Sequence, residues 1–322
     1  MSRYWPPVML SRRPGVTDNG PSPVTVGHAM PRSLIARHPH LALMLLVLIW
    51  GVGYPIMKIG LAYCPPLLFA GLRAIGGGLL LAVLAMRSGE LPDLAGTWPA
   101  LALSALFNVL LFFGLSTLSV KLLPAGIASV VLYLQPIFIA GLAHLWLGER
   151  LTRTKMAGLL LGFGGVAAIM VHGVDGVLSP AGLAYGVGSA AAWAIGTVAF
   201  KRAAPRSILW FISLPFVIGG GLIVLGGLLL GERWADIAWT PTFVLVLGYG
   251  AAVGLSLSWT LWLALVAAGE ASRMAGNTFL VPLVSVAAGT LFLGEPLTVV
   301  LAAGGAAVIG GVYLVNRAPA AT

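Results

Sequence analysis

Trp50-Gly-Val-Gly-Tyr-Pro-Ile-Met-Lys58 recurs 143 residues later as Trp193-Ala-Ile-Gly-Thr-Val-Ala-Phe-Lys201, with Trp, Gly and Lys in register. The run Ile75-Gly-Gly-Gly-Leu79 returns at the same offset as Ile218-Gly-Gly-Gly-Leu222. Further on, Leu147-Gly-Glu-Arg-Leu-Thr152 returns as Leu293-Gly-Glu-Pro-Leu-Thr298 at an offset of 146, so the second copy carries three additional residues. Pro136 and Pro282, Gly158 and Gly304, and Gly164-Gly165 and Gly310-Gly311 hold that second offset. Single matches mean little in a chain with 43 glycines; the ordered series identifies a duplication. Duplicated membrane halves are characteristic of secondary transporters, where one repeat moves against the other around a central site.

Composition places both copies in a bilayer. Hydrophobic residues make up 59% of the 322 residues, charged residues 8%, and the mean hydropathy is +1.00. A soluble domain carries about 25% charged residues to cover its surface. Crossing a ~30 Å hydrocarbon core takes roughly 20 residues of helix. Apolar runs of that order predict ten spans, near 41–63, 66–86, 98–118, 123–147, 153–172, 181–201, 207–230, 241–266, 271–293 and 297–316. They read as helices because lipid offers the backbone no hydrogen-bond partner, and their continuous apolarity, without a period of two, argues against a barrel. The expected fold is an all-α integral membrane protein.

Charge orients the chain. With the N-terminus inside, the cytoplasmic segments hold Arg3, Arg12, Arg13, Arg32, Arg37, Arg87, Arg150, Arg153, Lys155, Lys201, Arg202, Arg206, Arg273 and Arg317. The opposite side holds Lys58, Lys121 and Arg233, and Arg73 falls within a span. That asymmetry follows the positive-inside rule and puts both termini in the cytoplasm. The net charge of +9 is then a topology signal rather than a nucleic-acid footprint. Five spans per copy is an odd number, so the two copies face opposite ways and the repeat is inverted. The expected organisation is a disordered cytoplasmic tail at 1–39, a first five-helix repeat at 40–173 and a second at 178–317. The tail lacks the short apolar core and cleavage site of a signal peptide, and a start of translation at Met30 is an open alternative to Met1. Cys64 is the single cysteine, which excludes a disulfide within one chain.

On these residues the chain resembles the drug/metabolite transporter superfamily, in its ten-helix branch built from two EamA-type repeats. The resemblance rests on Trp50-Gly51 and Lys58, Arg73, Pro136, Gly148 to Thr152 and a Gly-rich fifth helix in the first copy. In the second it rests on Ala192-Trp193-Ala194, Lys201-Arg202, Trp262, Pro282 and Gly294 to Thr298, and it spans about 41–317. Pro296, where the first copy has Arg150, is a departure that removes a basic residue from the outer corner. The resemblance implies a metabolite or drug transporter of the inner membrane, often an exporter, working by alternating access. It also implies that helices 1, 3, 4, 6, 8 and 9 line the pathway.

Within that frame several residues are candidates for the substrate pathway. Pro136 and Pro282 are expected helix breaks in symmetric positions, which in inverted repeats point to the substrate site, although a packing kink explains them equally. Tyr133, Gln135 and Asn277 lie beside the breaks. Arg73 stands seven residues past Pro66, about 10 Å into its helix. A charge there faces an interior partner or a wet cavity, for a carboxylate or phosphate of the substrate or for neighbouring carbonyls. Lys58 and Lys201 are read as snorkelling to the interfaces. Trp50, Tyr54, Trp193, Trp259 and Trp262 lie within spans rather than at their ends, and buried indole and phenol donors need partners. Asn108 is a further candidate, with a helix–helix hydrogen bond as its alternative. This set suits zwitterionic, aromatic or amphipathic solutes.

No Asp or Glu falls deep within a predicted helix. His144 is expected to be the one deep titratable group besides Arg73, and Glu149 and Glu295 are read as corner residues with Thr152 and Thr298 capping the next helices. No HExxH, GxSxG or P-loop spacing is present, the five histidines are scattered, and an enzyme, a metal site or a cofactor is not expected. The rival readings are a lipid translocator, which predicts a polar groove opening sideways, and a non-transporting membrane subunit. Small-residue faces such as Gly158-x-x-x-Gly162 permit close packing within the chain or between chains.

Overall fold

The structure, a computed structural model, describes residues 38–92, 94–123, 131–171, 179–284 and 299–318. Besides a short 3-10 helix (Trp234–Asp236) and helical backbone over 280–284, ten helical elements follow one another among the described residues: α1 (Pro39–Leu61), α2 (Pro66–Arg87), α3 (Leu94–Ser104, Ala105–Leu111 and Phe112–Leu122, continuous), α4 (Gln135–Leu147) and α5 (Arg153–Val171). The second copy supplies α6 (Pro180–Ala203), α7 (Ile208–Leu229), α8 (Pro241–Tyr249, Gly250–Leu257 and Ser258–Ala268, continuous), α9 (Ala271–Asn277) and α10 (Val299–Arg317). Five stretches within them are long and apolar enough to cross a membrane: Pro66–Arg87, Thr97–Ser119, Pro180–Ala203, Ile208–Leu229 and Pro241–Ala268. The protein is an all-α membrane protein built of two inverted repeats.

The helix ends follow local chemistry. Proline occupies the first turn of α1, α2, α6 and α8, where its missing N–H goes unneeded. The hydroxyls of Ser179, Ser207 and Thr240 accept the N–H of Gly182, Trp210 and Phe243 and so cap α6, α7 and α8. Thr152 does the same for the N–H of Lys155 at the start of α5; Thr298 lies outside the described residues.

Two glycine seams join the repeats, and each pairs a helix with its own counterpart. Along α2 and α7, a Cβ added to Gly71 would stand 2.7 Å from the Gly220 carbonyl oxygen. On the same seam the Ser213 hydroxyl donates to the Gly78 carbonyl at 2.8 Å. Along α5 and α10, a Cβ on Gly158 would stand 2.7 Å from the Gly311 carbonyl oxygen. The small-residue face of α5 therefore packs within the chain, with Gly162 taking the Phe279 ring. Backbones meet this closely only where side chains are absent, which is how membrane helices gain contact without a hydrophobic driving force.

The ends of the α2–α7 seam are clamped reciprocally. Gly89 and Gly231 turn the chain out of α2 and α7 with φ of 69° and 94°, and each is followed by a glutamate. The Glu232 carboxylate accepts the N–H groups of Leu67 and Leu68 at 3.0 and 2.8 Å, at the start of α2. Glu90 accepts the Ser207 hydroxyl, and its carbonyl takes the Trp210 indole N–H at 2.9 Å, at the start of α7. A carboxylate on the free N–H groups of a helix N-terminus is favoured by both hydrogen bonding and the helix dipole.

Two irregularities are also duplicated. Residues 105–111 of α3 and 250–257 of α8 are π-helical, at positions that correspond under the 146-residue offset. The helical ladder is interrupted ahead of both prolines: a turn at Tyr133–Leu134 precedes α4, and a turn at Thr278–Phe279 separates α9 from helical backbone over 280–284. Tighter bonds span the turns, Leu134 N–H to Val131 carbonyl at 3.2 Å and Thr278 N–H to Ala275 carbonyl at 2.9 Å. Proline has no N–H and its ring displaces the carbonyl four residues earlier, at Leu132 and Thr278 here.

Candidate functional site

The tryptophans converge where the repeats meet. Trp50 from α1, Trp193 from α6 and Trp262 from α8 form a triangle with ring centroids 5.6, 5.8 and 5.1 Å apart. Phe112 of α3 stacks on Trp193 at 5.5 Å. Trp259 lies one helical turn before Trp262 and meets Phe113 and Phe216 at 5.9 and 5.3 Å. Phe216 is the repeat counterpart of Arg73, so the site is not symmetric in chemistry. These rings are buried apart from Phe112 and Trp50, which are partly buried; Trp50 packs against both of the larger apolar clusters among the described residues.

Polar atoms enter the cluster without partners. Trp193 Nε1, Trp262 Nε1, Thr197 Oγ1 and Asn108 Oδ1 are all buried and have no hydrogen-bond partner within the protein. Trp193 and Thr197 share one face of α6, four residues apart. Asn108 projects from the π-helical part of α3 onto Gly196 of the same helix: a Cβ on Gly196 would stand 2.1 Å from Asn108 Oδ1. The Asn108 amide N–H is held by the Ser104 hydroxyl at 3.2 Å, which leaves the carbonyl oxygen as the free group. Leaving a buried polar group unpaired costs about 1–3 kcal/mol. Four in one cluster leave two donors, a hydroxyl and a carbonyl oxygen open to a partner.

The other sequence candidates lie apart from this cluster. Tyr133 packs on Phe279 at 6.4 Å, at the two helix breaks, and Gln135 is buried in the first turn of α4. Asn277 accepts a hydrogen bond of 2.7 Å from Asn316 of α10, so it joins two helices. The Tyr54 and Lys58 side chains and the whole of Glu295 lie outside what is described. Arg73 is buried in α2 with its Nε unpaired and its guanidinium 4.8 Å from the centre of the Phe69 ring. Its methylenes fill the space over Gly250 in the π-helical part of α8.

Three readings of titratable groups change. His144 is exposed, its Nδ1 2.8 Å from the Glu149 carbonyl oxygen, because it sits on the outward face of the last turn of α4. Lys201 does not snorkel: its ammonium is turned inward, 3.0 Å from Glu149 Oε1, and also donates to the Gly269 carbonyl. Glu149 is more than a corner residue. It is 6% exposed, and it accepts the N–H groups of Ala271 and Ser272 at 2.7 and 3.1 Å as well as the Ser272 hydroxyl. Beside it, fully buried Lys155 donates to Glu270 and Ser272 at 3.0 and 3.1 Å. Burial would raise the Glu149 pKa, but Lys201 and the Ser272 hydrogen bonds outweigh it and hold the carboxyl below its ordinary range. The repeated Gly-Glu corner was visible in sequence, whereas its partners, Lys201 at 52 residues on and Ala271 and Ser272 at more than a hundred, were not.

Known proteins share this plan. The pattern of the EamA-like transporter family matches twice, at residues 39–171 and 180–317. The chain is 41% identical to an uncharacterized transporter, YvbV, of Bacillus subtilis (strain 168), over 86% of this chain and 90% of that protein. It is 30% identical to a protein of Salmonella typhimurium named a probable amino-acid metabolite efflux pump, over 84% and 92% of the two chains. A solved crystal structure matches with a TM-score of 0.75 at 19% identity, over 86% of this chain and 99% of that one, which speaks for the fold.

Proposed function

The chain belongs to the EamA-like transporter family, and we propose that it exports small amino-acid-like metabolites across the inner membrane by alternating access. In this reading both termini and the basic face bearing Arg150, Arg153 and Lys201 are cytoplasmic. The observation that carries the proposal is the tryptophan cluster with its four unpaired polar atoms. Two indole N–H groups suit a carboxylate or amide carbonyl, and the Asn108 oxygen and Thr197 hydroxyl suit an ammonium or amide N–H. Indole faces also attract a cation. A zwitterion answers all of these at once, and the name of the Salmonella relative agrees with that class. Arg73, Tyr133, Gln135 and Asn277 are assigned to the walls and moving parts of the same pathway. A lipid translocator is less well supported, since the sideways groove between α5 and α10 is lined by Leu160, Leu161, Ala168, Val299 and Ala303, with no polar side chain for a headgroup.

The purified protein titrated with L-amino acids, their amides and their decarboxylated amines tests this through tryptophan fluorescence. A saturable change with at least one zwitterion is expected, weakened in Asn108→Leu and Trp193→Phe. A response to lipids alone, or to no zwitterion in the panel, would contradict the proposal.

A further inference from the structure

We infer that Glu149 is the gating carboxylate of the cytoplasmic mouth, a latch between the two repeats whose bonds each transport cycle breaks to let substrate in. The inference rests on the orientation and the transport reading given above. Glu149 belongs to the first repeat, at the corner between α4 and α5. Its partners Lys201, Ala271 and Ser272 all belong to the second, at the end of α6 and the start of α9. Lys155 of the first repeat likewise reaches Glu270 and Ser272 of the second. Arg273 completes the cluster, 3.5 Å from Glu270 and bonded to the Ala318 carbonyl at 2.8 Å. A rocking motion of one repeat against the other cannot open this face without separating these pairs.

The position fits a gate. Lys201 lies eight residues beyond Trp193 on α6, and Gly269, the residue that follows α8, lies seven beyond Trp262, so the latch closes the bundle about 10–12 Å below the aromatic cluster. The segment it pins is also the one with a joint behind it, since α9 ends at the Thr278–Phe279 turn after seven residues. The other carboxylate clamps differ on both counts. Glu90 and Glu232 hold α2 to α7, where glycine contacts continue along the helices behind them. Those clamps read as the fixed axis and Glu149 as the releasable end. The latch is also built of charges: two carboxylates face three cations with little solvent, an arrangement that is strong when aligned and costly when half broken. Such a pair favours two discrete states over a continuum.

Accessibility from the cytoplasmic side tests this without any knowledge of the substrate. Thr197 lies on α6 between the latch and the tryptophans, and Thr197→Cys places a reporter thiol there. Native Cys64 is buried, and burial together with the Glu232 carboxylate pushes its thiol up to about 12, so it reacts little at neutral pH. In inside-out membrane vesicles treated with a membrane-impermeant maleimide, the reporter should label slowly. Adding Glu149→Gln should raise the rate about tenfold, a change of ~1.4 kcal/mol in the opening equilibrium. Ser272→Ala, which removes one donor and leaves every charge in place, should give a smaller rise. Glu90→Gln, on the same face but on the α2–α7 seam, should leave the rate unchanged. An unchanged rate in Glu149→Gln would overturn the inference, and so would an equal rise in Glu90→Gln, which would signify general loosening. Because labelling reads opening and not transport, a failure to find an exported solute would count against the proposed function and leave this result standing.

Discussion

Asn108 and Gly196 show how single side chains set the central site. The asparagine oxygen lies where a β-carbon on residue 196 would have to be, so Gly196→Ala should expel it. The expected result is a fall of several-fold or more in the zwitterion response, with a loss of about 1–3 kcal/mol in stability from overpacking, read by ligand titration and thermal unfolding on one sample. Arg73 makes the opposite prediction. Its cation is buried against the Phe69 ring and its Nε is unpaired, so Arg73→Met should leave thermal stability unchanged or higher, because the cost of burying a charge exceeds what one ring contact returns. Export of carboxylate-bearing solutes should fall. A sharp drop in melting temperature would instead make Arg73 a structural tie. Glu149 gives the pH dependence. A carboxyl held below its ordinary value of 4.5 contributes stability that is present in full above that value and lost as pH falls through the lowered one. The opening equilibrium, read as the labelling rate corrected for the thiolate fraction of the reporter, should therefore be flat above about pH 5 and rise only in stronger acid. In this account substrate, and not cytoplasmic pH, releases the latch.

Among the elements, the helices whose starts are written by prolines and caps were legible to within a few residues, while the predicted spans 123–147 and 271–293 fall partly outside the described residues. Predicted 66–86, 181–201 and 207–230 correspond to α2, α6 and α7, because Pro66, Pro180 and the Ser179 and Ser207 caps write their starts into the sequence. The tryptophans of the site were legible too, as aromatic residues placed away from the helix ends. The π-helical stretches were not. They turn on one extra residue per turn, fixed here by contacts such as the Ser256 hydroxyl to the Gly77 and Ala251 carbonyls at 2.9 and 2.7 Å. Gly77 stands 179 residues from Ser256. The placements of Asn277 and Lys201 were hidden for the same reason: periodicity tells which face is apolar, not which polar group waits opposite. Pro136→Ala and Pro282→Ala test the broken elements. Each restores an N–H to the ladder and removes a ring clash, so each should keep or raise thermal stability while lowering export several-fold. Normal export in both would reduce the breaks to packing features.

At the scale of the molecule, each repeat meets the other through self-equivalent helices, α2 with α7 and α5 with α10, as expected of an inverted pair about an axis in the membrane plane. The seams hold the halves together along their length. Between them, α1, α6 and α8 bring the tryptophans to the middle with two phenylalanines from α3, and the Glu149 cluster shuts the basic face. The molecule thus has a fixed axis, a central set of unpaired polar atoms and one closed mouth. Export is decided by metabolite profiling of medium and cytoplasm from cells producing the intact protein, beside cells producing Trp193→Phe at equal membrane abundance. A few related amino-acid-like solutes should be enriched outside with the intact protein and reduced with the variant. No solute differing between producing and non-producing cells, or enrichment of lipids alone, would contradict the proposed export.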